Sequence, residues 1–134
     1  MGEILLIAAD WQLRALVRAQ LLEEGYAVNA LPSLEIALAT LIRGGEQPGL
    51  TILDTQGIEI QAPVLSDLWR LAGGTPLILC GGVFSRAELS QEGMPPAQVL
   101  LRPFRIGDLV EQVRKVLGCP RENPTTKERS LELG

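Results

Sequence analysis

Apolar residues fall along the chain in two alternating kinds of run. Ile4–Ala8, Tyr26–Leu31, Leu50–Leu53, Pro76–Cys80 and Val99–Leu101 are short and almost unbroken by charge. Runs of that kind predict strands buried on both faces. Between them the apolar positions recur at helical spacing. Leu13, Leu16, Val17 and Leu21 predict a first helix closed by Gly25. Ser33 is a good cap for a second, with Leu34, Leu38, Leu41 and Ile42 on its apolar face and Gly44-Gly45 at its end. Pro63 suits the first turn of a third, carried by Val64, Leu65, Leu68 and Leu71 and stopped by Gly73-Gly74. A short helix is predicted over about Ser85–Gln91, before Gly93 and Pro95-Pro96. Ile106, Leu109, Val110, Val113, Val116 and Leu117 form the last, ending at Gly118.

Strand and helix therefore alternate, and the connections are short enough to require right-handed crossovers. The predicted fold is α/β: five parallel strands in the order 2-1-3-4-5, with helices on both faces. In that order the crevice that does chemistry opens where strands 1 and 3 end. Those ends are Ala8-Ala9-Asp10 and Asp54. Residues 1–118 read as one domain. Residues 119–134 lose the apolar period and read as a disordered tail or linker remnant.

Composition narrows the function. The chain has 134 residues, 46% hydrophobic and 21% charged, an ordinary globular balance. No apolar run is long enough to span a bilayer and no targeting segment is visible, so a cytoplasmic protein with no membrane partner is expected. A net charge of −4 and few aromatic residues argue against a nucleic-acid surface. The absence of histidine removes the usual metal ligand and general base. Cys80 and Cys119 are expected as thiols rather than a disulfide, and Cys80, inside an apolar strand, reads as core. The chain is expected not to be an enzyme.

Three stretches carry a family resemblance. "ILLIAADWQLRALV", "PGLTILD" and the pair "TPLILCGG" and "LLRPF" resemble the strand ends of a response-regulator receiver domain, of flavodoxin-like fold, and residues 3–117 are covered. The resemblance implies five functional positions: two acids after strand 1 and a phosphoacceptor aspartate that hold Mg²⁺, a hydroxyl residue after strand 4, and a lysine after strand 5. Here the acidic pair falls on Ala8 and Ala9, the acceptor on Asp54, the hydroxyl on Gly81 and the lysine on Arg102, while the aromatic switch position falls on Val99. Only Asp54 remains in kind. The Pro and Gly usual after the acceptor are missing from "DTQGIEIQAP". The resemblance thus implies a degenerate member, a pseudo-receiver. Mg²⁺ is a hard ion held in such sites by carboxylates and phosphate, so its binding is expected to be lost or weak and no other cofactor is expected. Arg102 is expected to reach Asp54 as a two-pronged ion pair.

Several residues keep two readings. Asp10 is either a metal ligand displaced by one position or the N-cap of the first helix. Asp is favoured at a cap, though Leu13 leaves no capping box. Asp54 is either a working phosphoacceptor or a relic. An exposed tryptophan, Trp11 or Trp69, would mark a partner surface. The leading function is a protein–protein interaction module whose partner is a sensor kinase or an output protein. By resemblance, a homodimer through the fourth helix, fifth strand and fifth helix, here Ser85 to Leu117, is a further expectation. The alternative is a weakly active receiver phosphorylated on Asp54 by a sensor histidine kinase. A flavin or nucleotide binder ranks third, because "AADWQ" puts bulk where a phosphate loop needs glycine.

Overall fold

The computed structural model describes residues 3–44, 47–56, 62–81, 98–101 and 103–118. In chain order the elements are β1 (Ile4–Ile7), α1 (Trp11–Glu23), β2 (Val28–Leu31), α2 (Leu34–Arg43), β3 (Leu50–Asp54), α3 (Ala62–Leu71), β4 (Leu77–Gly81), β5 (Gln98–Leu101) and α4 (Ile106–Leu117). The helix expected over Ser85–Gln91, Arg102, and the tail with Cys119 lie outside the described residues.

All five strands run parallel in the order β2-β1-β3-β4-β5, as the alternation of elements required. The register is continuous across the centre of the sheet: Ile7 lies beside Leu53, and Asp54 beside Cys80. Because side chains alternate between faces, the sheet separates two cores. Ile4, Leu6, Leu50, Ile52, Ile78 and Cys80 pack against Val17 and Leu21 of α1 and Leu109, Val110 and Val113 of α4. On the opposite face Leu5, Ile7, Leu53, Leu77 and Leu79 meet α2 and α3 through Leu34, Ala37, Leu65 and Leu68.

Burial on both faces holds for β1, β3 and β4, and it fails at the two edges. β2 is half-buried along its length, and Val99 and Leu101 of β5 are 38% and 51% exposed. An edge strand has a neighbour on one side only, so its helix cover is incomplete. Two helix positions differ as well. Leu16 and Ile42, placed on apolar faces by spacing, are 58% and 69% exposed. Leu13, Val17 and Leu21 already form the sheet-facing stripe of α1, and Leu16 stands about 100° round the helix from Val17. Tyr26 belongs to the turn after α1 rather than to β2. Gly25 takes a φ of 101°, which favours glycine, and Tyr26 N–H then donates to Leu21 C=O at 3.0 Å.

The last helix is tied to the first. Arg114 of α4 pairs with Glu24 at the end of α1 and with Glu111 at 3.1 Å. The Tyr26 hydroxyl donates to the Gly118 carbonyl at 2.8 Å. Among the described residues no helix is long and apolar enough to cross a membrane.

The two faces of α1 and the sheet centre give contrasting expectations. Ile52→Ala empties a fully buried site and is expected to cost about 2–5 kcal/mol, whereas Leu16→Ala should change stability by no more than about 0.5 kcal/mol. Urea denaturation of both variants checks the assignment of Leu16 to solvent.

Candidate functional site

The carboxyl ends of β1, β3 and β4 meet at one edge of the sheet, where the strand order reverses. Asp54 is the last residue of β3 and is only 2% exposed. Burial of a carboxylate in an apolar strand end is costly without hydrogen-bonding or charged neighbours. Gln56 N–H donates to Asp54 Oδ1 at 3.5 Å.

Beside it, β1 ends in methyl groups. Ala8 is fully buried, its N–H donating to Leu31 C=O at 3.1 Å, and Ala9 is exposed. Asp10 is exposed too, and its carboxylate accepts from Gln12 N–H at 3.0 Å. With φ −70° and ψ 114° it has the extended backbone of an N-cap residue. Of the two readings the sequence left open for Asp10, the structure assigns the cap. The carboxylate is turned to its own helix and not toward Asp54's strand.

Arg14, one turn into α1, folds back over the end of β1. Its Nη1 donates to Ala8 C=O at 2.8 Å and lies 3.4 Å from Ala9 C=O. Sequence reasoning gave Arg14 no role and missed this contact. The signal that could have found it is a long cationic side chain in the first turn, pointing back toward a strand end whose carbonyls have no further strand to bond.

On the other side of Asp54, Thr55 is half-buried. Its N–H and its hydroxyl both donate to Cys80 C=O, at 2.9 and 3.1 Å. Gly81, the position that the resemblance matched to a hydroxyl residue, is buried at the end of β4 with φ +131°. Val99 sits on the outer edge of the sheet, opposite Leu79 in register. Of the sequence-predicted positions, Ala8, Ala9, Asp54 and Gly81 therefore come together, Asp10 is diverted to its helix, and Val99 is two strands away from Asp54.

The described residues at this edge do not fit Mg²⁺. That ion wants a near-octahedral set of oxygens. Ala8 and Ala9 offer methyl side chains, their carbonyls already face a guanidinium, and Asp10 is engaged elsewhere. Among the described residues no three Asp, Glu, Cys or His side chains come together as a metal-holding group. A cleft of about 250 Å³, lined in part by Glu3, Leu5, Asn29, Thr40 and Gln47, opens at the opposite, amino edge of the sheet.

Known structures share this fold. The chain is similar to the chemotaxis response regulator CheY4 of Vibrio cholerae, at 20% identity and a TM-score of 0.70, covering 87% of this chain and 99% of that one. It is similar to the receiver domain of the hybrid histidine kinase CckA, at 23% identity and a TM-score of 0.69, with coverage of 87% and 99%. It is also similar to the response regulator TrrA of Thermotoga maritima, solved in complex with Mg²⁺ and BeF, at 25% identity and a TM-score of 0.64, with coverage of 87% and 100%. No family model matches the sequence, and no curated protein is similar enough to count as a relative. The receiver-like, flavodoxin-like architecture expected from the strand ends is thus the observed one.

The cap assignment separates two variants of one residue. Asp10→Ala removes the acceptor for Gln12 N–H and should cost about 1 kcal/mol, while Asp10→Asn keeps an oxygen there and should be nearly neutral. Equilibrium urea unfolding distinguishes the two, and an equal loss in both would contradict the cap.

Proposed function

We propose that residues 1–118 form a receiver-like module of two-component signalling that acts by binding another protein in the cytoplasm, with phosphate-dependent switching lost. In this reading residues 119–134 are a tail or linker, and the module is not a catalyst. Its partner is a sensor kinase or an output protein. The single observation that carries the proposal is the state of the β1 end: two methyl side chains and a helix-capping aspartate stand where metal-binding acids would be needed, and Arg14 covers the neighbouring carbonyls. Phosphoryl transfer in such a site depends on a metal and fixed cations spreading charge over the transferred oxygens. Asp54 is then retained as a relic, and Arg102 is its intended ion-pair partner.

The interaction role draws on exposed apolar side chains. Trp11, at the start of α1, is 66% exposed, whereas Trp69 packs against the core between the sheet and α3. Tryptophan is over-represented among residues that dominate binding energy. Val99 and Leu101 add exposed apolar surface to the edge strand β5, within the face between Ser85 and Leu117 by which receivers pair. A homodimer or a partner seated on that face is part of the proposal.

The competing reading makes Asp54 a slow but genuine phosphoacceptor, and one incubation separates the two. After exposure to phosphoramidate and Mg²⁺, intact-protein mass spectrometry should find no added phosphoryl group. A gain of one phosphoryl group that disappears in Asp54→Ala would replace the proposal with the phosphoacceptor reading.

A further inference from the structure

Gly81 and Thr55 occupy the same space by turns. A Cβ built on Gly81 would stand 2.2 Å from Thr55 Oγ1, a separation no real side chain tolerates, while the next nearest atoms, Thr55 Cβ and N, lie at 3.5 and 3.6 Å, ordinary contact distances. The conflict is therefore with the hydroxyl alone. That hydroxyl is held in place, since it and the Thr55 N–H both donate to the Cys80 carbonyl. Two donors from the residue after Asp54 thus converge on one acceptor of β4. The glycine that follows that acceptor supplies both the missing Cβ and a φ of +131° that other residues avoid.

We propose that Thr55 and Gly81 form an interlock that pins the carboxyl end of β4 to the Asp54 strand in one arrangement. Thr55 is a positioning residue in this inference, not a group that touches a ligand. A phosphate-driven switch needs a bistable element at this place. The interlock does the opposite. The Thr55 hydroxyl is engaged by the Cys80 carbonyl, and a side chain at position 81 would have to displace it. The inference deepens the proposed function and rests on it for its biological meaning, because a module that presents a fixed surface gains from a strand end that does not move.

A double-substitution cycle on the full chain tests it. Gly81→Ala in the wild-type background meets both the Thr55 hydroxyl and the backbone strain. In a Thr55→Ala background it meets only the strain, which is common to both arms and cancels. The folding equilibrium constants should depart from additivity by about tenfold or more, with the double variant more stable than the two single losses predict. Additive effects would overturn the interlock. A second readout does not depend on Gly81 variants folding. Hydrogen exchange at the amide of residue 55, corrected for intrinsic rates, should accelerate about fivefold in Thr55→Val, the factor that loss of one ordinary hydrogen bond gives, and should stay slow in Thr55→Ser. Unchanged exchange in Thr55→Val, or no rescue by serine, would also overturn it. Neither measurement involves phosphate, so a phosphorylated Asp54 would sink the functional proposal and leave the interlock standing, and additivity would do the reverse.

Discussion

A nearly water-free carboxylate at the end of the central strand is the constraint around which this edge of the molecule is built. β3 is apolar from Leu50 through Leu53 apart from Thr51, and its last residue, Asp54, is buried with them. The cost of removing such a group from water is several kcal/mol per ion unless neighbours compensate it. β3 is the central strand, with β1 and β4 on its two sides, so its last residue has a strand neighbour in each direction. In a crevice with three carboxylates, mutual repulsion makes a divalent cation nearly obligatory. Ala8 and Ala9 carry no charge, so the end of β1 adds no such repulsion. Among the described residues, Arg14 brings a cation to the end of β1, where it addresses backbone carbonyls.

Much of this fold was legible in the order of residues. Unbroken apolar runs at Ile4, Leu50 and Leu77 announced strands with helices on both sides, and the short connections left one sensible sheet order. Glycines at 25, 44 and 73 marked helix ends because only glycine takes their positive φ at little cost. What the runs did not disclose was exposure at the margins. Val99 and Leu101 look as buried in sequence as Leu79 does, and only their place on an edge strand makes them accessible. Leu16 failed for a related reason: α1 is apolar on more than one side, so spacing alone could not choose the stripe that faces the sheet.

The candidate site was legible at the level of residue type and not at the level of contact. Asp10 was readable as a cap because the cap preference is local, decided within two residues of the aspartate. Thr55 and Gly81 were not readable as a pair. Their approach depends on the register between β3 and β4, with Asp54 beside Cys80, across a separation of 25 residues between Thr55 and its acceptor. Gly81 alone looked like a lost hydroxyl. The structure gives a different account: a hydroxyl is present at this edge, on the neighbouring strand, and the glycine is what makes room for it.

That exchange bears on how a receiver-like scaffold can become a fixed one. In the proposed reading, methyl groups at the end of β1 leave a divalent ion without ligands there, but they do nothing to hold the end of β4. A hydroxyl that bridges from β3 to a β4 carbonyl, opposite a glycine, adds a contact that a moving strand end would have to break. A side chain at position 81 would meet the Thr55 hydroxyl, and a residue 55 without that hydroxyl would lose the bridge to the Cys80 carbonyl. The effects of changes at the two positions are therefore expected to be coupled, as for residues in direct contact. At the end of β1 the two positions differ: Ala9 is exposed and a longer side chain there meets solvent, whereas Ala8 is fully buried. The Thr55–Gly81 contact is thus independent of what stands at the end of β1, and it is the contact that, in the inference drawn above, holds the end of β4 in its present arrangement.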